Sequence, residues 1–232
     1  MTIIDTTSKI NKLINSKKIL VFDFDGVIAD SVEIKTQAFA SLYEKYGNDV
    51  VSKVIKHHKN NGGVSRFEKI RKYHSEFLGL PITESKLDEL CNEFSELVID
   101  KVVAANEIPG VREFIEKKCS GETICVINSA TPTIEISSII DKKQLSPFFD
   151  AIYGSPASKK VNLESLLSKF QLSANNGVFF GDAKSDFEAS KSLKMDFVYI
   201  GEVCDKPFSE NDLLIYNAVN FLGLNKRCSI VR

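Results

Sequence analysis

Hydrophobic residues follow two different patterns along the chain, and the change between them divides the sequence. Residues 19–24 form a short, nearly continuous apolar run, which is typical of a strand buried on both faces of a sheet. Further short apolar runs follow residue 110, separated by stretches with apolar residues at helical spacing. We predict strands at 19–24, 123–128, 151–153, 178–180 and 197–200. Strands that alternate with amphipathic helices are typical of a doubly wound parallel α/β sheet.

The stretch from 31 to 107 differs, because its apolar residues keep helical spacing and no strand pattern interrupts them. We predict four helices here, which begin at about Ser31, Asn48, Ser65 and Pro81. The sequence therefore predicts an α/β core of residues 1–30 and 108–232, interrupted after its first strand by a helical domain of residues 31–107. A short amphipathic helix is expected at 8–17, whereas the last roughly 30 residues have no clear periodicity.

Composition and charge limit the kinds of partner. The chain has 232 residues, 43% of them hydrophobic, and a formal net charge of −1. It can form a full core, and it has no basic field that would attract nucleic acid. No apolar run approaches the ~20 residues of a membrane span, and the first residues lack the apolar segment of a secretory signal. We expect a soluble, cytoplasmic protein that binds neither nucleic acid nor membrane; its oligomeric state is left open.

The cysteines support the same expectation. There are five of them, widely spaced and without a C-x-x-C pair: Cys91, Cys119, Cys125, Cys204 and Cys228. Thiols in this arrangement are typical of reduced cysteines in a cytosolic protein.

Polar side chains lie at the carboxyl ends of several predicted core strands, where they could meet at a ligand site. The segment VFDFDGVIADS places Asp23 and Asp25 after the first strand. The other strand ends carry these residues: Asn128, Ser129, Lys159, Lys160, Asp182 and Asp186. Because ligands of α/β sheets bind beyond the carboxyl ends of the strands, we expect these groups to converge. Several carboxylates in one small space favour a hard divalent cation, most readily Mg²⁺.

An acid pair followed by Gly26 is also typical of an ordinary turn, since aspartate and glycine are common turn residues. The prediction of a catalytic site therefore depends on the ordered set of an acid pair, a hydroxyl, a lysine and a second acid pair.

The segments DFDGVIADS, NSATP, GSPASKK and GDAKSD resemble the four motifs of the haloacid dehalogenase (HAD) superfamily, and the helical domain resembles its C1-type cap. The resemblance implies that Asp23 is a nucleophile that forms an aspartyl-phosphate. It implies that Asp25 is the general acid and base, with a pKa nearer neutral than that of a free aspartate. Mg²⁺ would be held by Asp23, the backbone carbonyl of Asp25 and Asp182, with Asp186 supporting these ligands from outside them or through water.

The resemblance also assigns the phosphate-binding groups. Ser129 would donate to a phosphoryl oxygen, and Lys159 would neutralise charge on nucleophile and phosphate. Asn128 and Lys160 are the alternatives. Ser129 is preferred because Pro132 follows three residues later, as in many relatives. Lys159 is preferred because leucines then follow at +4, +7 and +8 on its helix.

The second aspartate, Asp25, indicates phosphoryl transfer, because the dehalogenases of the superfamily expel a halide that needs no proton and lack this residue. We expect a Mg²⁺-dependent phosphatase for a small phosphorylated metabolite, such as a sugar phosphate or phosphoglycolate. A phosphomutase of the β-phosphoglucomutase type is the alternative. A phosphonate hydrolase is less favoured, because such relatives form a Schiff base with a lysine of the cap and no lysine here stands out for that role. A non-catalytic phospho-receiver or binding protein is a more distant alternative.

Within the helical domain, Arg66 follows a pair of glycines and has two interpretations. Either it binds an anionic group of the substrate, or it is a solvated arginine near Glu68. Lys35, early in the first helix of this domain, could reach the mouth of the site, but a solvated lysine is preferred. Three histidines are also expected at the surface: His57, His58 and His74.

Overall fold

The computed structural model describes residues 3–119, 121–202 and 215–224, with only the backbone at 3–6 and 215. These residues form a parallel sheet of six strands in the order β3-β2-β1-β4-β5-β6. The strands are β1 (Ile19–Phe22), β2 (Ile124–Pro132), β3 (Ala151–Ser155), β4 (Gly177–Gly181), β5 (Asp196–Ile200) and β6 (Ile215–Ala218). The doubly wound parallel sheet is thus confirmed, and its strand order reverses between β1 and β4.

Nine α-helices lie in the described part of the chain. They are α1 (Ile3–Asn15), α2 (Val32–Tyr43), α3 (Asn48–Asn60), α4 (Arg66–Lys72), α5 (Glu84–Ala104), α6 (Val111–Lys118), α7 (Thr133–Lys142), α8 (Lys159–Lys169) and α9 (Lys184–Leu193). A π-helical segment, Tyr73–Leu78, continues α4.

Strand β1 is central because both of its faces are apolar and fully buried. Leu20 and Phe22 pack into the hydrophobic core under α1, α6 and α7, whereas Ile19 and Val21 pack into a second core under α8 and α9. Side chains alternate along a strand, so a continuous apolar run covers both faces at once. Layers of helices on the two sides of the sheet follow from this pattern.

Helices α2 to α5, together with the π-helical segment, form what we call the helical insert, residues 32–104. Its interior is aromatic: the ring of Phe39 lies 4.4 Å from that of Phe94 and 5.7 Å from that of Tyr73, measured between centroids. The insert connects to the core through two neighbouring segments, since Asp30 N–H donates to Asn106 O at 2.9 Å. The domain boundaries at 30/31 and 107/108 remain predictions.

Two sequence-based expectations fail in the core. Strand β6, which pairs with β5, was not predicted, because Asn217 interrupts its short apolar run. Cys119 and Cys125 form a disulfide, with their Cα atoms 5.6 Å apart, so the expectation of reduced thiols is wrong for this pair. The end of α6 and the start of β2 bring them together. Cys91 is free and buried, while Cys204 and Cys228 lie outside the described residues.

The disulfide removes one reason for expecting a cytoplasmic location, because disulfides persist mainly in oxidising compartments. That location stays a prediction. None of the helices in the described ranges combines the length and the apolar character that a membrane span needs.

Candidate active site

Three aspartates converge at the carboxyl ends of β1 and β4, where the strand order reverses. Asp23 follows β1, Asp182 follows β4, and Asp186 lies in the first turn of α9. One carboxylate oxygen from each lies within 4.8 Å of the other two. Asp23 is buried, and one of its oxygens accepts a hydrogen bond from Phe24 N–H at 2.6 Å. The structure therefore brings together three of the four predicted acids, as the position of ligand sites in such sheets leads one to expect.

Gly26 makes this convergence possible. It has a φ of +75°, and a Cβ there would lie 2.2 Å from Oδ2 of Asp182. Any other residue would be strained in this conformation and would also push Asp182 out of the cluster.

Burial and repulsion between carboxylates raise the pKa values of Asp23 and Asp182. Burial raises the pKa of Asp23 to about 7; Lys159 opposes this effect, while Asp186 and Asp25 add to it. Burial, followed by the charges of Asp23 and Asp186, raises the pKa of Asp182 well above its usual range. Three converging carboxylates, two of them on buried residues, fit a hard divalent cation. Oxygen ligands of this kind are what Mg²⁺ binds, and its charge would relieve their repulsion.

Lys159, at the start of α8, is the buried cation of this cluster. Its Nζ donates to Asp23 Oδ2 at 2.5 Å and also to Asp186 Oδ1. Burial alone would lower the pKa of Lys159, but Asp186 and Asp23 outweigh it and raise that pKa. Lys160, the alternative from the sequence, is half-exposed and pairs with Glu164 instead. The structure places Lys159, not Lys160, among the acids.

The two candidate groups after β2 have different surroundings. Asn128 joins neighbouring segments, because its Nδ2 donates to Lys159 O at 2.9 Å and its Oδ1 accepts from Asn162 at 3.0 Å. Ser129 is buried, and its Oγ accepts from Thr131 N–H at 3.2 Å. Thr131 lines the cavity above the aspartates, and the sequence did not single it out. It lies two residues beyond Ser129, in the part of β2 where the pairing with β3 is irregular.

The carboxylate of Asp25 stands apart from the three-acid cluster. It accepts from Ser31 Oγ at 2.6 Å and from Lys35 Nζ. Burial alone would raise the pKa of Asp25, but Lys35 and Ser31 overcome that effect and lower it. The expectation of a pKa nearer neutral is therefore wrong for this arrangement.

Lys35 was expected at the surface, and this expectation is also wrong. Its side chain is mostly buried, and besides Asp25 it reaches Thr131 Oγ1 at 2.7 Å. The signal was present in the sequence: Lys35 lies four residues after Ser31, one helical turn away on the same face of α2.

A cavity of about 70 Å³ lies between the acids and the helical insert. Asp23, Asp25 and Asp182 line it from the core, while the insert contributes basic and aromatic side chains. The insert's charged and imidazole side chains in the lining are Lys35, His58, Arg66 and Lys69.

His58 and His74 are buried, contrary to the expectation that they lie at the surface. His58 packs against Phe39, with 4.9 Å between the ring centroids, and His74 packs against Tyr43. Helical spacing had placed both on polar faces, but those faces pack against other helices of the insert. His57 is about half-buried, and its Nδ1 lies 3.2 Å from the Tyr73 hydroxyl.

Arg66 is buried rather than solvated, and its partner is not Glu68. Its guanidinium contacts both carboxylate oxygens of Glu135 on α7, at 2.9 and 2.5 Å. It also donates to Ser95 Oγ at 2.6 Å. The interpretation of Arg66 as a surface residue paired with Glu68 is therefore wrong. Lys69, one turn further along α4 on the same face, was missed, although its i+3 spacing from Arg66 was a usable signal.

Residues 20–200 match the family described as haloacid dehalogenase-like hydrolase. The phosphorylated carbohydrates phosphatase of Thermotoga maritima is 26% identical over 196 residues, covering 78% of this chain and 83% of that protein. The phosphoglycolate phosphatase of Pseudomonas savastanoi pv. phaseolicola is 24% identical over 187 residues, covering 75% and 66%.

Among solved structures, the β-phosphoglucomutase of Clostridium difficile superposes with a TM-score of 0.70 at 22% identity, covering 89% of this chain and 93% of that one. At this identity the likeness shows the fold. The family match covers most of the chain and includes the strands that carry Asp23 and Asp182. The chain therefore belongs to the haloacid dehalogenase-like hydrolase family, and it is an enzyme of that family.

Proposed function

We propose that this enzyme is a Mg²⁺-dependent phosphatase that hydrolyses a small phosphorylated metabolite, of the sugar phosphate or phosphoglycolate kind, through an aspartyl-phosphate on Asp23. One observation carries the proposal: Asp23 is buried beside two further aspartates and Lys159, at the floor of a small cavity. The names of the two curated relatives, both phosphatases, support the same class of substrate.

In the first step, an oxygen of Asp23 forms a bond to phosphorus while the bond from phosphorus to the leaving oxygen breaks. Lys159 holds that carboxylate in place and offers positive charge to the phosphoryl oxygens. The Ser129 hydroxyl donates a hydrogen bond to one of these oxygens. In the second step, water loses a proton to Asp25 and attacks phosphorus, which releases phosphate and restores the Asp23 carboxylate.

Asp25 also gives a proton to the leaving oxygen in the first step, so it has to be protonated when the substrate is bound. Lys35 and Ser31 favour the ionised form in the present arrangement. We propose that the substrate displaces Lys35 Nζ from Asp25, which removes the contact that holds the carboxylate ionised. Lys35 then remains close enough to bind the substrate itself.

Asp23, Asp182 and the backbone carbonyl of Asp25 would hold Mg²⁺, with Asp186 supporting them directly or through water. The ion would supply charge stabilisation for the phosphoryl group. The raised pKa values of Asp23 and Asp182 support this assignment, because added positive charge would offset the burial and repulsion that raise them.

The helical insert acts in this proposal as a cap that covers the cavity and excludes water from it. Its loop at Gly62 and Gly63 touches the core, since Ser185 Oγ donates to Gly62 O at 3.2 Å. The prediction that Arg66 binds the substrate remains a proposal; because Glu135 already neutralises it, Arg66 would have to exchange that partner for the substrate.

The test is release of phosphate from an aryl phosphate, with and without Mg²⁺, by the wild type and by Asp23→Asn. Asp100→Asn, at a fully exposed carboxylate, is the matched control. We expect Mg²⁺-dependent release by the wild type and the control and none by Asp23→Asn. Release that persists in Asp23→Asn would contradict the proposed nucleophile. Little phosphate release, together with isomerisation of a sugar phosphate that requires a bisphosphate primer, would favour the phosphomutase alternative.

A further inference from the structure

The cations around the cavity differ in how they are neutralised. Three of them contact carboxylates within the protein: Lys35 with Asp25, Arg66 with Glu135, and Lys159 with Asp23 and Asp186. Lys69 is the exception, because none of the ion pairs found among the described residues involves it. Lys69 therefore has no ion-pair partner in the part of the protein that the structure describes, although the charges of Asp25 and Glu68 act on it from a distance.

Lys69 is also deeply buried, with 2% of its surface exposed. Its Nζ forms a hydrogen bond of 2.9 Å with Nδ1 of His58 and lies 5.7 Å from the centre of the Phe39 ring. Burying an ammonium group without a carboxylate is costly, and burial together with the charge of Lys35 lowers the pKa of Lys69 to about 7. An anion bound at Nζ would remove this cost.

His58 supplies a further hydrogen-bond donor for such an anion. An ammonium group only donates hydrogen bonds, so Nδ1 of His58 accepts from Lys69, and the neutral ring then carries its proton on Nε2. Burial, followed by the charge of Lys69, lowers the pKa of His58 to about 3, so the ring stays neutral at physiological pH. Both side chains line the cavity that Asp23 and Asp25 line from the opposite side.

We propose that Lys69 and His58 bind a second anionic group of the substrate, a carboxylate or a second phosphoryl, while the phosphoryl to be transferred lies against Asp23. This rests on the proposed function, because it concerns the same cavity and substrate. The cavity volume of about 70 Å³ is far below the roughly 300 Å³ of a typical drug-sized pocket. The two anionic groups are therefore separated by a short carbon chain.

The experiment compares three substrates that differ in the second group: ethyl phosphate, which has none, phosphoglycolate, which has a carboxylate, and ethylene glycol bisphosphate. The variant is Lys69→Met, which keeps an unbranched side chain one atom shorter and replaces the buried charge with an apolar group. Lys72→Met, an exposed lysine of the same helix that pairs with Glu76, is the matched control.

We expect Lys69→Met to lose roughly 10- to 100-fold in kcat/KM, mainly through KM, on the substrate with the correct second anion, because a hydrogen bond to a charged group is lost. On ethyl phosphate we expect a change below about threefold, since the lost contact is not made there. Whichever of the two doubly anionic substrates shows the larger loss identifies the second group. Equal losses on all three substrates, or no loss on any, would overturn the proposal.

A binding measurement separates this proposal from the proposed function. Calorimetric titration of Asp23→Asn, with and without Lys69→Met, compares phosphoglycolate and ethylene glycol bisphosphate with ethyl phosphate and needs no turnover. Tighter binding of a doubly anionic ligand that Lys69→Met abolishes would support the second anionic site even if the wild type released no phosphate. Aryl phosphate hydrolysis that depends on Asp23, with no such preference in binding, would leave the phosphatase standing and overturn this inference.

Discussion

The guanidinium of Arg66 and the carboxylate of Glu135 form a buried, bidentate ion pair that joins the helical insert to the core. The two contacts measure 2.9 and 2.5 Å, and only 4% and 7% of the side chains are exposed. Ser95 completes the arrangement by donating to Glu135 Oε2 at 2.6 Å. Because one partner lies on α4 and the other on α7, the pair stabilises the arrangement in which the insert covers the cavity.

Replacing only one partner of this pair should be strongly destabilising. We expect Arg66→Met to lower the free energy of unfolding by about 3–5 kcal/mol, because it leaves the charge of Glu135 buried and uncompensated. The double variant Arg66→Met, Glu135→Gln should lose less than the sum of the single variants. Urea unfolding of the four proteins measures this coupling. The exposed pair Lys72 and Glu76 serves as a control with about 0–1 kcal/mol. Strict additivity at Arg66 and Glu135 would contradict the interpretation.

Asp182→Asn should have opposite effects with and without Mg²⁺. Without the ion, the variant should be more stable than the wild type, because asparagine removes a charge that Asp23 and Asp186 repel. With Mg²⁺ at about 100 times its dissociation constant, the wild type should gain about 2.7 kcal/mol, and the variant much less. Thermal unfolding across a Mg²⁺ series measures both effects. Asp100→Asn should behave as the wild type, and equal Mg²⁺ stabilisation of all three proteins would exclude Asp182 as a ligand.

Gly63→Ala should disturb the contact between the insert and the core. Gly63 has a φ of +69°, and a Cβ there would lie 2.0 Å from Ser185 Oγ and 3.2 Å from Lys159 Nζ. We expect kcat/KM for an aryl phosphate to fall roughly 10- to 100-fold, because small displacements at an active site have effects of this size.

Gly79→Ala is the control for the Gly63 variant. Gly79 has nearly the same φ, +64°, but a Cβ there meets nothing within 4 Å. It should cost about 1–2 kcal/mol of stability through backbone strain alone and leave kcat/KM within about twofold. If both variants lost activity equally, backbone strain rather than contact with Ser185 would be responsible.

The strands and the acids could be predicted because their signals are local. A continuous apolar run followed by Asp23, or by Gly181 and Asp182, predicts a buried strand and a polar group at its end without knowledge of the rest of the chain. A local signal of another kind, a serine followed three residues later by a glutamate, predicted the helix start at Ser65. In the structure, Ser65 Oγ accepts from Glu68 N–H at 3.3 Å.

Helical spacing shows which basic residues share a face with Ser31 or Arg66, but not that this face is buried, because burial depends on how the insert packs against the core. Lys35, His58 and Lys69 lie on helix faces that spacing marks as polar, and those faces line the cavity. The pKa of Asp25 was misjudged for the same reason, since it depends on Lys35 from the insert. The disulfide of Cys119 also arises from packing, in this case of α6 beside β2.

His58 should make the stability of the protein depend on pH between about 6.5 and 5. Burial, then the charges of Lys69 and Lys35, lower its pKa from 6.5 to about 3 in the folded protein. Below pH 6.5 the unfolded chain therefore binds a proton at His58 that the folded protein does not bind. The contribution of His58 to stability is complete above this pH and is lost as the pH falls toward about 3. The slope contributed by one such group reaches about 1.4 kcal/mol per pH unit.

The measurement is urea unfolding at pH 7.5, 6.5 and 5.5 for the wild type, His58→Gln and His57→Gln. Glutamine does not titrate, and its side-chain oxygen can still accept from Lys69, so His58→Gln should flatten the slope between pH 6.5 and 5.5. His57 is less buried and has a more weakly lowered pKa, so His57→Gln should flatten it less. If His58→Gln kept the slope of the wild type, His58 would have to be protonated in the folded protein, and Lys69 would then be without an acceptor at Nδ1.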